Sequence, residues 1–325
     1  MRIGWGILGG GKVVESKSGP AFNIPNASYV AAVCRRSPSA AQYTAEKLGA
    51  ANWYSSYEAM LQDEAVDAVY IATPPGLHYE QAILCLEARK PVYIEKPFTT
   101  SLAQAQCLVD KFAAAGLPLF VAHYRRAMEK FLALKNVVDQ DLGDVVDFSF
   151  RLNRRLEDDK MHPWMYQREM SGGGKFFDIS AHSLDLFLFY FGAVERMTSE
   201  AQHWQAPNGT EDCVTLNFRF ESGILGTATY NFLSREKSDR LRVYGTGGDL
   251  AMSVHGDAPS VLRKRNGRTR ELSHRLPPFI EAPMIKEVVS SLRGQNGTPC
   301  TGQDALAVMA LMEAGLGSLR PPPSI

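Results

Sequence analysis

Short apolar runs recur along the first part of the chain and alternate with segments whose apolar residues repeat at helical spacing. The runs occupy residues 3–8, 29–34, 68–72, 92–94 and 117–122. Between the last two runs, Ser101 begins a segment whose apolar residues fall on one face of a helix. Strands that alternate with helices predict a parallel sheet covered by helices, which is an α/β fold.

The pattern changes near residue 123, after which most apolar runs follow one another without an intervening helix. Strands are predicted at residues 145–152, 213–220, 225–232, 240–244 and 261–265, and helices at 176–190, 279–292 and 303–316. Asn266-Gly267 between two such runs is a strong hairpin signal. We therefore expect a first domain at residues 1–122 and an α+β domain with a mainly antiparallel sheet at residues 123–325.

Composition narrows the range of partners. The 325 residues carry 35 basic and 35 acidic side chains, so the formal net charge is zero and neither nucleic acid nor an anionic membrane is expected to bind. The basic cluster at 263–270 falls on the predicted hairpin and is interpreted as a solvated turn.

The cysteine pattern and the lengths of the apolar runs predict the cellular compartment of the protein. The five cysteines are scattered without CxxC pairing, which favours free thiols in a reducing, cytoplasmic setting. No apolar run approaches the roughly 20 residues of a membrane span, and the start of the chain lacks the apolar core of a signal peptide. No cluster has metal-ligand spacing, so no metal is expected.

A glycine turn follows the first run. Gly9-Gly10-Gly11-Lys12-Val13 ends the predicted strand, and its backbone N–H groups suit a pyrophosphate. The third position of the dinucleotide fingerprint is Val14 rather than Gly or Ala, which predicts a looser contact between helix and strand. A glycine-rich turn without a ligand is the alternative. Because the turn opens an alternating α/β pattern, we expect a dinucleotide at Gly9, Gly11, Lys12 and Val13.

The end of the second run bears on which dinucleotide is used. An acidic residue there would accept a hydrogen bond from the ribose 2′-hydroxyl of NAD(H), but this chain has Arg35 and Arg36. Two guanidinium groups suit a 2′-phosphate, so NADP(H) is favoured and NAD(H) remains the alternative. Both arginines would otherwise be solvent-facing residues at a helix start.

Two later loops carry polar residues directly after apolar runs. Thr73 and Pro74 follow the third run, with His78 shortly after them as either a helix cap or a cofactor contact. Glu95-Lys96-Pro97 follows the fourth run, and the Lys96–Pro97 peptide is a candidate for the cis form. Ligands bind beyond the carboxyl ends of the strands in such sheets, so both loops are candidate cofactor contacts.

These motifs occur in one order: Gly9-x-Gly11, Thr73-Pro74-x-x-x-His78, Glu95-Lys96-Pro97, and Gly172-Gly-Gly-x-x-x-Asp178-x-x-x-His182. The arrangement resembles the Gfo/Idh/MocA family, which includes glucose–fructose oxidoreductase and inositol dehydrogenase. The resemblance covers essentially the whole chain. It implies an N-terminal Rossmann domain and a C-terminal domain with a large, open, mainly antiparallel sheet. It also implies NAD(P)-dependent oxidation or reduction of a sugar, cyclitol or related polyol, in a homodimer or homotetramer formed through that sheet.

The same resemblance implies a catalytic set of Lys96, Asp178 and His182, with Glu95 near the nicotinamide ribose. Asp178, His182 and Asp185 are spaced i, i+4 and i+7, which places them on one face if this segment is a helix. Lys96 would hydrogen-bond the reacting oxygen, His182 would carry the proton and Asp178 would orient one of them. Whether Lys96 or His182 transfers the proton is left open at this point.

Substrate contacts are expected at Arg125, Trp164, Tyr166 and Asp185, although the two aromatic residues fit packing equally well. Relatives that resemble dihydrodiol dehydrogenases have Tyr at the position of His182, so His182 favours a sugar or polyol. Pro75, Ser180 and Met165 depart from the family's pattern and blur the identity of the substrate. A dihydrodiol or dicarbonyl reductase is one alternative function. A non-catalytic NADP-binding regulator is a second alternative. The presence of Lys96, Asp178 and His182 argues against it.

Overall fold

Two compact units make up the chain in this computed structural model, which describes residues 2–155 and 162–317. The first unit contains the chain up to Met128 together with Pro277–Ala307. The second contains the described residues of Glu129–Leu276 and the chain from Val308 onward. Each unit has its own sheet and its own apolar core.

The first unit is built on a six-stranded sheet in which every neighbouring pair is parallel. Its strands are β1 Ile3–Gly9, β2 Ser28–Cys34, β3 Asn52–Tyr54, β4 Ala68–Ala72, β5 Val92–Ile94 and β6 Leu119–Val121. They lie in the order β3-β2-β1-β4-β5-β6, the doubly wound order of dinucleotide-binding sheets. The predicted Rossmann fold is confirmed. The prediction omitted β3, because this strand has only three residues and they are too exposed to form an apolar run.

Serine caps begin three helices of this unit. They are α1 Pro38–Leu48, α2 Tyr57–Leu61 and α4 Leu102–Ala114, and α3 His78–Glu87 has no side-chain cap. The Ser101 hydroxyl accepts a hydrogen bond from the Gln104 N–H, and Ser37 caps α1 in the same way. These caps fix where each helix starts relative to the strand before it.

The second unit is built on an eight-stranded sheet. Its strands are β7 Val145–Arg155, β8 Val194–Gln202, β9 Cys213–Phe220, β10 Leu225–Asn231, β11 Leu233–Gly245, β12 Gly248–Met252, β13 Ser260–Lys264 and β14 Thr269–Leu272. Their order is β14-β13-β12-β11-β7-β10-β9-β8, and all neighbours are antiparallel except β7 and β10. The mainly antiparallel sheet is confirmed. The prediction omitted β8, in which most residues are polar and partly or fully exposed, and also the short strands β12 and β14.

One face of this sheet is covered by a long helix. Helices α5 Glu129–Asp141, α6 Arg168–Ser171 and α7 Lys175–Phe191 lie within the second unit. Helix α7 is buried on nearly every side, and Phe187 packs 4.8 Å from Phe148 of β7, centroid to centroid. The opposite face of the sheet carries polar residues, because side chains alternate along each strand.

Residues 277–307 return to the first unit, and the expected boundary after residue 122 did not allow for this. Helix α8 Ala282–Leu292 contacts two short 3-10 helices of that unit, Gly19–Phe22 and Tyr124–Ala127. Thr301 then bridges to Phe120 of β6, and α9 Gly302–Gly315 follows. The apolar face of α8 is buried by these contacts, which a linear reading of the chain does not show. Among the described residues, no helix has both the length and the apolar character required to cross a membrane.

Candidate active site

The cofactor residues predicted in the first unit gather at one edge of its sheet. Gly9 ends β1, Arg35 follows β2, Thr73 follows β4 and Glu95 follows β5. Because these strands are parallel, their carboxyl ends share an edge. The strand order reverses between β1 and β4, which is the position where ligands bind in open α/β sheets.

The glycine turn after β1 is tight at its start and open at its end. Gly9 has a φ of +103°, and a Cβ built there would lie 2.5 Å from the Ala72 carbonyl oxygen. Only glycine fits where β4 comes this close. No heavy atom of the described residues lies within 4 Å of a Cβ built on Gly11. Lys12 and Val13 are exposed beside that space, so the backbone here is accessible to a ligand.

The segment after this turn differs from the expected helix. It forms a single π-helical stretch, Val14–Ser18, and then a 3-10 turn that contains Pro20. Proline lacks an N–H and cannot continue a helical hydrogen-bond ladder, which explains why no long α-helix follows β1. Val14 is fully buried in this arrangement.

The two arginines after β2 have different environments. Arg35 donates from Nη1 to the Thr44 hydroxyl at 2.8 Å and lies 4.0 Å from the Glu15 carboxylate. Its Cδ is 2.8 Å from a Cβ built on Gly10, so the side chain crosses the glycine turn. Arg36 is exposed. Arg35 therefore braces the turn on α1, while Arg36 faces solvent.

His78 bridges two loops of the candidate cofactor edge. Its ring is buried, with Nε2 2.8 Å from the Thr73 carbonyl oxygen and Nδ1 3.0 Å from that of Pro97 and 3.1 Å from that of Phe98. Burial lowers the pKa of this imidazole, and the three carbonyl contacts oppose that effect. Of the two roles left open by the sequence, this placement favours the structural one.

Glu95 is engaged inside the protein. The residue is 9% exposed, and its Oε1 accepts a hydrogen bond from the Tyr70 hydroxyl at 2.5 Å. Oε2 of Glu281 lies 3.5 Å from the same hydroxyl. The described contacts thus join Glu95 to Tyr70, and its expected contact with the nicotinamide ribose stays a prediction. The next peptide bond, Lys96–Pro97, is cis.

Sequence reasoning missed Glu281. It lies just before α8, far along the chain from Glu95, and no motif surrounds it. The side chain is 1% exposed. Burial raises its pKa well above the ordinary value, the neighbouring Glu95 carboxyl raises it further, and the charges of Lys17 and Lys96 oppose the rise. Only the return of residues 277–307 to the first unit brings it here.

The candidate residues of the second unit lie on α7. This segment is helical, so Asp178, His182 and Asp185 share one face as predicted. His182 is 7% exposed and Asp185 is 1% exposed. The His182 ring lies 6.0 Å from that of His255, centroid to centroid, and sequence reasoning did not identify His255.

A buried carboxylate holds the start of α7. Glu211 accepts hydrogen bonds from the N–H groups of Gly174 at 2.7 Å and Phe177 at 3.0 Å. Negative charge at a helix N-terminus is favourable, because the first N–H groups lack helical partners. Burial nevertheless raises the pKa of Glu211, while these hydrogen bonds and the charge of Arg168 oppose the rise. Glu211 thereby fixes the helix that carries Asp178 and His182.

The expected substrate contacts are divided between the units. Trp164 and Tyr166 are partly exposed on the 3-10 helix Pro163–Tyr166, and Asn208 donates to the Tyr166 carbonyl at 3.0 Å. Arg125 belongs to the first unit, is buried, and lies 5.4 Å from the centre of the Tyr124 ring. Their role toward a substrate stays a prediction. Among the residues that the structure describes, no group of three or more His, Cys, Asp or Glu side chains is arranged to hold a metal ion.

Comparison with known proteins agrees with this architecture. Residues 3–123 match the model described as "Oxidoreductase family, NAD-binding Rossmann fold", and residues 131–251 match the "GFO/IDH/MocA C-terminal domain". A relative from Formosa agariphila, oxidoreductase P35, is 32% identical over 98% of this chain and 99% of its own length. The NADP(+)-dependent scyllo-inositol 2-dehydrogenase of Bacillus subtilis is 27% identical, over 80% of this chain and 79% of its own.

A solved structure shares the whole architecture. The aldose-aldose oxidoreductase of Caulobacter crescentus, crystallised with glycerol, superposes with a TM-score of 0.86 over 98% of this chain and 97% of its own. The identity is 21%, so this likeness concerns the fold alone.

Proposed function

Because this chain belongs to the GFO/IDH/MocA family of NAD(P)-binding oxidoreductases, we propose that it interconverts a carbinol and a carbonyl group of a sugar, cyclitol or related polyol with NADP(H). The observation that carries this proposal is the carboxyl edge of the first sheet. An open glycine turn after β1 and Lys96 after β5 lie at that edge together.

The residues at this edge fit a dinucleotide. The open space at Gly11 admits a pyrophosphate to the backbone, and Gly9, Lys12, Val13, Thr73 and Pro74 border the same edge. When bound, the nicotinamide supplies or accepts the hydride. Glu95 is expected to support the position of Lys96 in addition to the ribose contact that the family resemblance implies.

The preference for NADP(H) rests on Arg36. It is exposed immediately after β2, where a carboxylate would otherwise accept a ribose hydroxyl, and Arg35 is already hydrogen-bonded to Thr44. A guanidinium group binds a phosphate through paired hydrogen bonds. Arg36 is therefore assigned to the 2′-phosphate and Arg35 to support of the glycine turn.

Each catalytic residue has a defined task in this proposal. The Lys96 ammonium donates a hydrogen bond to the reacting oxygen and stabilises negative charge on it. His182 carries the proton to or from that oxygen, and Asp178 orients its partner by a hydrogen bond. Trp164 and Tyr166 are assigned to the apolar face of a sugar ring, while Arg125 and Asp185 are assigned to its hydroxyl groups.

A substrate panel tests the proposal. Sugars, inositols, dihydrodiols and dicarbonyl compounds are incubated with NADP⁺, NADPH, NAD⁺ or NADH, and the absorbance of the reduced nicotinamide is followed. Turnover of a sugar or inositol is the expected result. Turnover of dicarbonyls or dihydrodiols alone would move the protein to the alternative reductase class. Tight dinucleotide binding without turnover of any compound would make it a regulator.

The polar face of the eight-stranded sheet is assigned to self-association. Asn217 and Arg219 of β9 are exposed there, with Ser149 of β7 and Thr227 of β10 on neighbouring strands of the same face. A homodimer or homotetramer through this face is expected. Light scattering after size exclusion should give a mass above the 35.9 kDa of one chain, and Asn217→Arg should reduce it.

A further inference from the structure

Two carboxyl groups from distant parts of the chain approach the same hydroxyl group, that of Tyr70. Glu95 follows β5 and Glu281 precedes α8, and both side chains are buried. Two buried carboxyl groups that approach the same hydroxyl repel each other if both are ionised, so the arrangement favours a proton on one of them.

One hydroxyl contacts both groups. Tyr70 lies 2.5 Å from Glu95 Oε1 and 3.5 Å from Glu281 Oε2, and its oxygen is also 3.0 Å from the Ser18 hydroxyl. The shorter contact is a strong hydrogen bond to the member of the pair that carries negative charge. The proton is therefore assigned to Glu281, whose pKa is raised by burial.

The charges around the pair agree with a single negative charge. Titratable groups that interact with the pair include Lys17, Tyr70, Tyr93, Lys96 and Tyr124, and Cys300 interacts with Tyr93. A proton retained by one of the two groups removes the repulsion between two buried negative charges. Lys17 and Lys96 are cations whose charges act on Glu281.

We propose that Glu95 and Glu281 hold one proton between them and act as a single buried negative charge that positions the Lys96 ammonium. This inference rests on the proposed function, because it gives Glu281 a role through Lys96. Glu281 is a positioning residue in this arrangement. The pair gives Lys96 a partner of fixed negative charge.

Replacement of each glutamate of the pair by glutamine tests how many protons the pair holds. Glu281→Gln, Glu95→Gln and the double variant are compared with the parent protein, all without added ligand. The ε-carbon signal of Lys96 is followed by NMR against pH and assigned with Lys96→Met. Each single variant retains one ionisable carboxyl group. The midpoint of the Lys96 titration is therefore expected to stay near that of the parent protein. The double variant removes the charge and is expected to lower the midpoint by about one pH unit or more.

Either other pattern overturns the proposal. A lowered midpoint in both single variants means that the parent pair carries two charges. An unchanged midpoint in the double variant means that the pair carries none or does not act on Lys96. Thermal unfolding of each variant accompanies the titration, so that a folding defect is recognised and the titration is repeated below the unfolding temperature.

An infrared measurement addresses the pair without reference to catalysis. The parent-minus-Glu281→Gln difference spectrum at neutral pH should contain the C=O band of a protonated carboxyl. Subtraction is needed because buried Glu211 also has a raised pKa. Tyr70→Phe should shift the band, whereas Tyr93→Phe should leave it in place. No band means that the pair holds no proton. If the parent protein has the band and Lys96→Met is fully active, the proposed role of Lys96 in catalysis is wrong. The shared proton of the carboxyl pair is still supported in that case.

Discussion

Tyr70 and Tyr93 stack across adjacent parallel strands with ring centroids 5.4 Å apart and planes 26° apart, yet they differ in what their hydroxyls meet. The Tyr70 hydroxyl donates to Glu95 at 2.5 Å. The Tyr93 hydroxyl, equally buried, has no hydrogen-bond partner among the described residues. The two residues form a natural matched pair for measuring what the buried carboxyl pair contributes.

Removal of each hydroxyl should have opposite consequences for stability. Tyr70→Phe breaks a hydrogen bond to a buried carboxylate and should lower the free energy of unfolding by about 1.5–3 kcal/mol. Tyr93→Phe removes an unsatisfied buried hydroxyl and should leave stability unchanged or slightly raised. Urea unfolding of both variants at neutral pH checks this. Equal losses in the two variants would show that the Glu95 contact adds nothing beyond packing.

Arg36→Asp should change the choice of cofactor. The loss of a phosphate-binding guanidinium and the gain of a carboxylate should weaken NADP(H) by at least about tenfold, which is ~1.4 kcal/mol. NAD(H) should be much less affected. Arg265→Asp makes the same charge change on the exposed hairpin of the second unit and serves as the control. The dissociation constants of both dinucleotides are measured by fluorescence. If Arg36→Asp loses affinity for NADP(H) and NAD(H) equally, Arg36 does not bind the 2′-phosphate.

Lys96→Met should remove turnover while dinucleotide affinity stays close to that of the parent. Loss of a positioned hydrogen-bond donor to the reacting oxygen lowers a rate by roughly 10²–10³-fold. Lys111→Met, on the exposed side of α4, is the control for loss of a lysine. The value of kcat is measured with the substrate found by the panel. An active Lys96→Met enzyme would exclude this lysine from the mechanism.

The pH dependence of stability should reveal Glu281. Burial and the Glu95 carboxyl raise its pKa in the folded state above the ordinary 4.5. Its contribution to stability is therefore fully present below that value and is lost as the pH rises through the raised pKa. Glu281→Gln cannot ionise, so its stability relative to the parent should rise with pH above 4.5. Thermal unfolding across this range measures the difference. A constant difference at every pH would contradict the raised pKa.

The sequence by itself determined the class of both sheets. Apolar runs separated by helical segments correspond to β1, β2, β4, β5 and β6, and the alternation of 213–220 corresponds to β9. These features depend on local periodicity, which a linear reading captures. Motif residues after strands were also placed correctly at one edge, because parallel strands bring their carboxyl ends together.

Tertiary structure alone decided which buried charges meet. Glu281 reaches Glu95 only because residues 277–307 return to the first unit, and Glu211 reaches the start of α7 from the segment before β9. His78 is held by carbonyl groups of Thr73 and Pro97, although its motif fitted a cofactor contact equally well. Such pairings join positions far apart in the chain and leave no periodic trace. Burial makes them strong, and burial is set by the packed fold rather than by the local sequence.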